Sequence, residues 1–297
     1  MNAIPNAALR PVAVKDLLVV DIAPDLAPVL RGALAPGTWT IHHATSNLSA
    51  LAMVKERAFD LILTSEKTSV REDVDLLRRI RRVRPHTRLI ILARETMPGD
   101  VLAAVREHAF SYFSVPFSPE ELAGMIQAAL AEPAWDDGIE VISATPEWVQ
   151  IRVRCDLKTA DRLLQFMSEV PDLPDLEKTQ VAVAFREMLL NAMEHGAHMN
   201  PDEYVRIEYV RARRMITCRI SDPGPGFTLD EIPHAAVANP NDDPIRHTAV
   251  REAQGMRPGG YGVLLAQQLV DQLIYNQDGN EVLLVKYLPP KPPESAG

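Results

Sequence analysis

The sequence predicts two domains: an α/β domain on a five-stranded parallel sheet, then an α+β domain with an antiparallel-rich sheet. Three observations lead there. The chain has 297 residues, a length typical of two domains. Its first half alternates short β-rich apolar runs with helical patterns, as βαβ units do. Its second half groups strands and helices in blocks, separated by glycine-rich loops.

In the first half, strands are expected at LLVVD (17–21), TWTIHH (38–43), DLILTS (60–65), RLIILA (88–93) and SYFSVP (111–116). Helical patterns fill 25–35, 46–58, 71–83, 98–108 and 118–131. Such a doubly wound sheet places functional residues beyond the carboxyl ends of its strands. In the second half, strands are expected at 148–155, 204–212, 215–222 and 281–288, and helices at 159–169, 176–195 and 262–273. Residues 228–258 contain four prolines and several Asn and Asp, and read as a long irregular lid. Pro133, an Asp-Asp-Gly turn and Pro146 punctuate the stretch between the halves. The expected divisions are therefore a flexible start (1–15), a first domain (16–132), a linker (133–147), a second domain (148–288) and a proline-rich disordered tail (289–297).

Apolar residues make up 46% of the chain and charged residues 24%, as in soluble globular proteins. No long uninterrupted apolar run suggests a membrane span, and the start lacks a secretory pattern, so a cytoplasmic protein is expected. Cys155 and Cys218 fall in apparent strands and read as buried thiols. Of 31 basic and 40 acidic residues, 15 of each lie within 1–134, leaving 16 and 25 beyond it. A second half this acidic argues against nucleic acid as its main partner. The basic run RRIRRVRPHTR (78–88) reads as a solvated helix face or a docking patch.

The stretch FREMLLNAMEHG (185–196) is a helix that is apolar nearly all round, hence buried. It nevertheless carries Glu187, Asn191, Glu194 and His195. With Glu187 at zero on a wheel of about 100° per residue, Asn191 falls near 40°, Glu194 near −20° and His195 near 80°. Buried polar groups need partners, so this stripe is either a salt-bridged structural feature or the wall of a site. Two further segments favour a site. SDPGPGF (221–227) ends a strand with Asp222 and runs into Gly224 and Gly226. RPGGYGVLLAQQLVDQL (257–273) places Gly259, Gly260 and Gly262 before a helix. Glycines at such a junction let backbone N–H groups approach phosphate oxygens, and a helix N-terminus favours anions.

The first half resembles the receiver domain of response regulators, which implies a flavodoxin-like fold. The chemical positions of that family are altered here. Asp21 follows the first strand, but Ile22 stands where a second acidic residue is expected. Ser65 occupies the phosphoacceptor position, Ala93 the fourth-strand hydroxyl position and Val115 the lysine position. Asp60 lies about 16 Å back along its strand and cannot substitute. A pseudo-receiver that accepts no phosphate on aspartate is expected, with Glu66 as one source of fixed negative charge.

The second half resembles the ATP-binding superfamily of gyrase, heat-shock chaperone, histidine-kinase and mismatch-repair ATPases, a GHKL (Bergerat-type) sandwich. EMLLNAMEHG matches its N box, DPGPG its first glycine box and GGYG its second. The resemblance implies ATP and Mg²⁺ as cofactors. It implies Asn191 as the magnesium ligand, Asp222 as the reader of the adenine amine, and Gly224 and Gly226 against the nucleotide. Gly259, Gly260 and Gly262 would lie at the phosphates, and Glu187 would be the general base. His195 is either a phosphate-side contact or a structural histidine, and Glu194 a structural group. The wording LLNAMEHG and GGYGVLLAQQLVDQL is most similar to anti-sigma-factor serine/threonine kinases. That implies phosphorylation of an anti-sigma-factor antagonist, with a sigma factor or other regulator as a further partner, a homodimer, and neither nucleic acid nor membrane. Two alternatives stay open: a nucleotide-gated sequestering protein, and a histidine-kinase-like module acting on a separate histidine-bearing protein.

Overall fold

The computed structural model describes residues 14–288 except 24, 35–36, 96, 132–136, 171–172, 229–231, 241, 254 and 256–258. The expected flexible start, apart from residues 14 and 15, and the expected tail at 289–297 lie outside the described residues. The chain divides into two compact units that part near residues 135–136, with residues 96–108 grouping with the second.

Five strands, β1 (Lys15–Val20), β2 (Trp39–Ala44), β3 (Leu61–Thr64), β4 (Arg88–Ala93) and β5 (Ser111–Ser114), form one sheet in the order β2-β1-β3-β4-β5. All pairs are parallel. The chain also forms α1 (Leu26–Ala33), α2 (Asn47–Glu56), α3 (Val70–Val83), α4 (Pro98–Arg106) and α5 (Pro119–Ala131). Every residue of β3 and β4 is buried, as expected of strands covered on both faces. Leu17, Val19, Leu63, Ile90 and Leu92 join Leu30, Leu122 and Ile126 in one core. The amphipathic α3 buries Val74, Leu77 and Ile80 and turns Arg78, Arg79 and Arg82 outward.

The strand ends of this unit are used internally. Asp21 is buried; its Oδ1 accepts from the Ser65 hydroxyl at 3.0 Å and from the Ala23 N–H, and its Oδ2 from the Leu26 N–H. The side chain at the phosphoacceptor position thus bonds to the aspartate that follows β1. Asp60 sits at the other end of the strands, paired with Lys15 and the Asp16 N–H.

Asp73, fully buried in the first turn of α3, accepts from Asn47 Nδ2 at 2.9 Å and Thr68 Oγ1 at 2.7 Å. Burial outweighs these bonds and pushes its carboxyl up from 3.8 to about 6. A carboxyl held more protonated folded than unfolded loses stability as pH rises between those two values. Chemical denaturation should therefore show stability falling by up to about 3 kcal/mol from pH 4 to pH 7 through this group. Asp73→Asn should flatten that slope.

The second unit carries β6 (Ile139–Thr145), β7 (Trp148–Arg154), β8 (Tyr204–Arg211), β9 (Met215–Ser221), β10 (Gln272–Tyr275) and β11 (Glu281–Tyr287). They form an antiparallel sheet in the order β10-β11-β9-β8-β7-β6. The helices α6 (Leu157–Glu169), α7 (Asp175–Asn191) and α9 (Gly262–Leu269) pack on the sheet. Alternate residues such as Ile151, Val153, Ile207, Cys218, Ile220 and Leu284 are buried. Both cysteines are buried free thiols, as expected.

Three expectations need correction here. Residues 139–145, assigned to a linker, form β6, an edge strand paired with β7. A register shift between Val141 and Ser143 breaks the period-two pattern that would have revealed it. The helix expected over 262–273 ends at Leu269, and Gln272–Tyr275 form β10. The irregular stretch 228–258 contains a 3₁₀ turn (Ala236–Ala238) and α8 (Arg246–Ala253) among its described residues. Asn239 organises it: its Oδ1 accepts from the His247 N–H at 2.8 Å and its Nδ2 donates to the Pro244 carbonyl at 2.6 Å. The buried His247 ring packs edge-on to Tyr261.

Among the described residues, no helix is long and apolar enough to cross a membrane.

Candidate functional site

The helix α7 sets the first wall of the site. Val181, Ala184, Phe185, Met188 and Leu189 bury it, while Glu187 and Asn191, one turn apart, are only half-buried. Beyond Asn191 the helix widens into a π turn, Ala192–Gly196. The Ala197 N–H donates to the Ala192 carbonyl, five residues back. Such turns recur at functional sites because they re-aim the residues they contain. Here the widening invalidates the wheel beyond Asn191. Glu194 is exposed and lies off the cavity, whereas His195, also exposed, lines it.

The π turn also brings Gly196 against the next wall. A Cβ on Gly196 would overlap the Asp222 carboxylate, so only glycine fits. Asp222 follows β9, and its Oδ1 accepts from the Gly224 N–H at 2.9 Å. Burial raises its carboxyl pKa above the ordinary value. Gly226 has φ +82° and approaches the Asp278 carbonyl closely.

The third wall is the N-terminal turn of α9. A Cβ on Gly262 would lie 2.8 Å from Glu187 Oε2 and 3.6 Å from Asn191 Nδ2. The second glycine box therefore seats its helix start directly on the two polar residues of α7. Among the described residues no side-chain cap bond is made at the N-cap Tyr261 of α9, leaving its first N–H groups available to an anion. Gly260, with φ +90°, accepts at its carbonyl from the Ala236 N–H at 2.8 Å. Arg251 of α8 reaches this segment and donates to the His234 carbonyl.

These walls enclose a cavity of about 850 Å³, within the size range of small-molecule sites. Asn191, His195, Asp222, Gly226, Gly260 and Gly262 line it. Gly224 stands behind Asp222, Glu187 behind Gly262, and Gly259 beside Arg251. Met188, Ile220, Phe227, Tyr275 and Val282 add apolar lining to the cavity that Asp222 shares. Phe227 and Tyr275 pack edge-on, and the Tyr275 hydroxyl donates to Met188 Sδ. His195, His234 and Arg251 add nitrogen-bearing side chains to the lining and influence one another's charge. Burial, then Arg251 and His195, hold His234 below the ordinary histidine pKa.

Sequence reasoning missed Gly196, Phe227, His234, Arg251, Tyr275 and Asn280. Gly196 closes the N-box wording and Phe227 follows the first glycine box directly, so both were within reach. The turn signal in NQDGN (276–280) also announced a hairpin. Among the described residues, no cluster of three or more His, Cys, Asp or Glu is placed to hold a metal.

Two family descriptions match separate parts of the chain. Residues 151–286 match the histidine kinase-like ATPase domain, and residues 17–127 the response regulator receiver domain. The chain is 28% identical over 114 residues to the serine-protein kinase RsbW of Listeria monocytogenes, covering 38% of this chain and 66% of that protein. It is 26% identical over 130 residues to the transcriptional regulatory protein ZraR of Salmonella typhimurium, covering 44% of this chain and only 29% of that regulator. A receiver domain of Methanospirillum hungatei superposes with a TM-score of 0.37 at 21% identity, covering 40% of this chain and 94% of that one. The chain is therefore a receiver-like domain fused to a histidine-kinase-like domain. More particularly, the second domain has the GHKL ATPase architecture.

Proposed function

We propose that the second domain binds ATP with Mg²⁺ and transfers the γ-phosphoryl group to a serine or threonine of a protein partner. The observation that carries this reading is the seating of Gly262 against both Glu187 and Asn191. It brings a carboxylate and a carboxamide against the N-terminal turn of one helix. Asp222 would read the adenine amine, with Gly224 and Gly226 letting the backbone lie against the nucleotide. Gly259, Gly260, Gly262 and His195 would serve the phosphates. The Asn191 carboxamide has no hydrogen-bond partner among the described residues. It fits magnesium, which takes few protein ligands plus phosphate and water; the ion would neutralise charge on the β- and γ-phosphates. Glu187 would take the proton of the partner's hydroxyl as its oxygen attacks the γ-phosphorus. The bond to the bridging oxygen then breaks and ADP leaves.

The likeness to a serine-protein kinase supports a serine as the acceptor; the partner proposed is an anti-sigma-factor antagonist, with a sigma factor or other regulator as a further partner. The receiver-like domain, its Asp21 and Ser65 bonded to each other, would serve docking or homodimerisation. Incubating captured partners with γ-labelled ATP and Mg²⁺ tests the reading. Acid-stable label on serine or threonine is the expected result. Acid-labile label would replace it with a histidine-directed module, and binding without labelling with a sequestering protein. In calorimetry, Asp222→Asn should weaken ATP at least tenfold, because a buried acceptor becomes a partial donor facing the amine.

A further inference from the structure

The turn between β10 and β11 touches the nucleotide cavity but belongs to none of the motifs that drew attention to it. It interlocks with the loop 222–227. The Asn280 carbonyl accepts from the Asp222 N–H at 3.0 Å, and Asn280 Nδ2 donates to the Gly224 carbonyl at 3.0 Å. On its other side, Asn280 Oδ1 accepts from Asn276 Nδ2 at 2.8 Å. The Phe227 N–H donates to the Asp278 carbonyl at 3.1 Å. Gly226 and Gly279 have no room for a Cβ, because each would overlap a carbonyl of the opposite segment.

These contacts bear on one carboxylate. Asp222 Oδ1 is occupied by the Gly224 N–H. Asn280 tethers the backbone on both sides of that N–H: its carbonyl takes the Asp222 N–H and its Nδ2 holds the Gly224 carbonyl. Asn280 therefore pins the short turn that carries Asp222, and does so from outside the glycine box. A carboxylate discriminates a base carrying an amine from one carrying a carbonyl only if its lone pairs are aimed; a tilted carboxylate accepts water instead.

We propose that Asn280 is a positioning residue for base recognition, and that the β10–β11 turn sets selectivity for adenine over guanine nucleotides. This rests on the reading of the cavity as an ATP site. The turn bonds to residues 222–227 and not to the residues proposed for the phosphates, so its influence should reach the base and leave the phosphates untouched.

Asn280→Asp is the sharpest variant: same size, same acceptor toward Asn276, but no donor for Gly224. Titrations of ATP, GTP and inorganic tripolyphosphate into the full chain test it, with Mg²⁺ present throughout. ATP should weaken about tenfold, the ATP-over-GTP preference should shrink by a similar factor, and tripolyphosphate should stay within twofold. Turnover at saturating ATP should be unchanged while KM rises. Asn280→Ala should behave alike and serves if the aspartate variant misfolds. Unchanged ATP affinity, or equal weakening of ATP and tripolyphosphate, would overturn the proposal. Absence of ATP binding in the unaltered chain would instead remove the ATP reading on which it rests.

Discussion

Glutamine in place of Glu187 is expected to slow partner phosphorylation by about 10²–10⁴-fold, the usual contribution of a positioned general base. ATP affinity should remain within about threefold of the unaltered chain. The two effects separate because the role proposed for Glu187 is to accept a proton, not to hold the nucleotide. Glutamine keeps the size and the contact with Gly262 but cannot accept a proton. Arg186, 3.6 Å from Glu187 Oε1 and itself exposed, remains as a neighbour. Single-turnover transfer at saturating ATP is the measurement to make. A variant that phosphorylates the partner at an undiminished rate would remove Glu187 from the chemistry.

Alanine at Gly226 is expected to do the most damage to the cavity itself. Its φ of +82° lies in the left-handed region, which costs a non-glycine residue about 1–2 kcal/mol. The added Cβ would also overlap the Asp278 carbonyl, which accepts from the Phe227 N–H. The β10–β11 turn must then separate from the loop beneath it, breaking contacts that frame Asp222. ATP binding should fall at least a hundredfold, with a lower melting temperature. Gly255 is the control: its φ is +66°, but among the described residues nothing lies within 4 Å of a Cβ there. Gly255→Ala should show only the conformational cost. Equal effects at the two positions would mean that the packing against Asp278 contributes nothing.

Much of this architecture could be read from residue order. The five parallel strands announced themselves because burial on both faces demands unbroken apolar runs. Glu187 and Asn191 were legible as a pair because four residues make one helical turn whatever surrounds them. Asp222 and the glycines stood out because few other residue types tolerate those positions. What escaped depends on backbone choices that periodicity does not encode. The π turn differs from an α turn only in which carbonyl each N–H selects, so Glu194 and His195 were projected along the wrong path. The bulge in β6 hid a strand behind linker-like punctuation. Short β10 continued the apolar texture of α9, and only its pairing with β11 marks it as a strand. Asn280 acts through one amide on a distant loop, a contact no local pattern announces. Ahead of α8, prolines and asparagines suggested an irregular lid, yet Asn239 uses its side chain to build a helix start around His247.

The bond between Ser65 and Asp21 has a consequence for time. A regulator that carries a phosphoryl group on its own aspartate remembers a stimulus for as long as the acyl phosphate survives. A chain that, as its Ser65 leads us to expect, takes no phosphoryl group there would keep no such record. Any message relayed through its first domain would fade at the rate at which a bound neighbour departs, so its persistence would be set by affinity and not by hydrolysis.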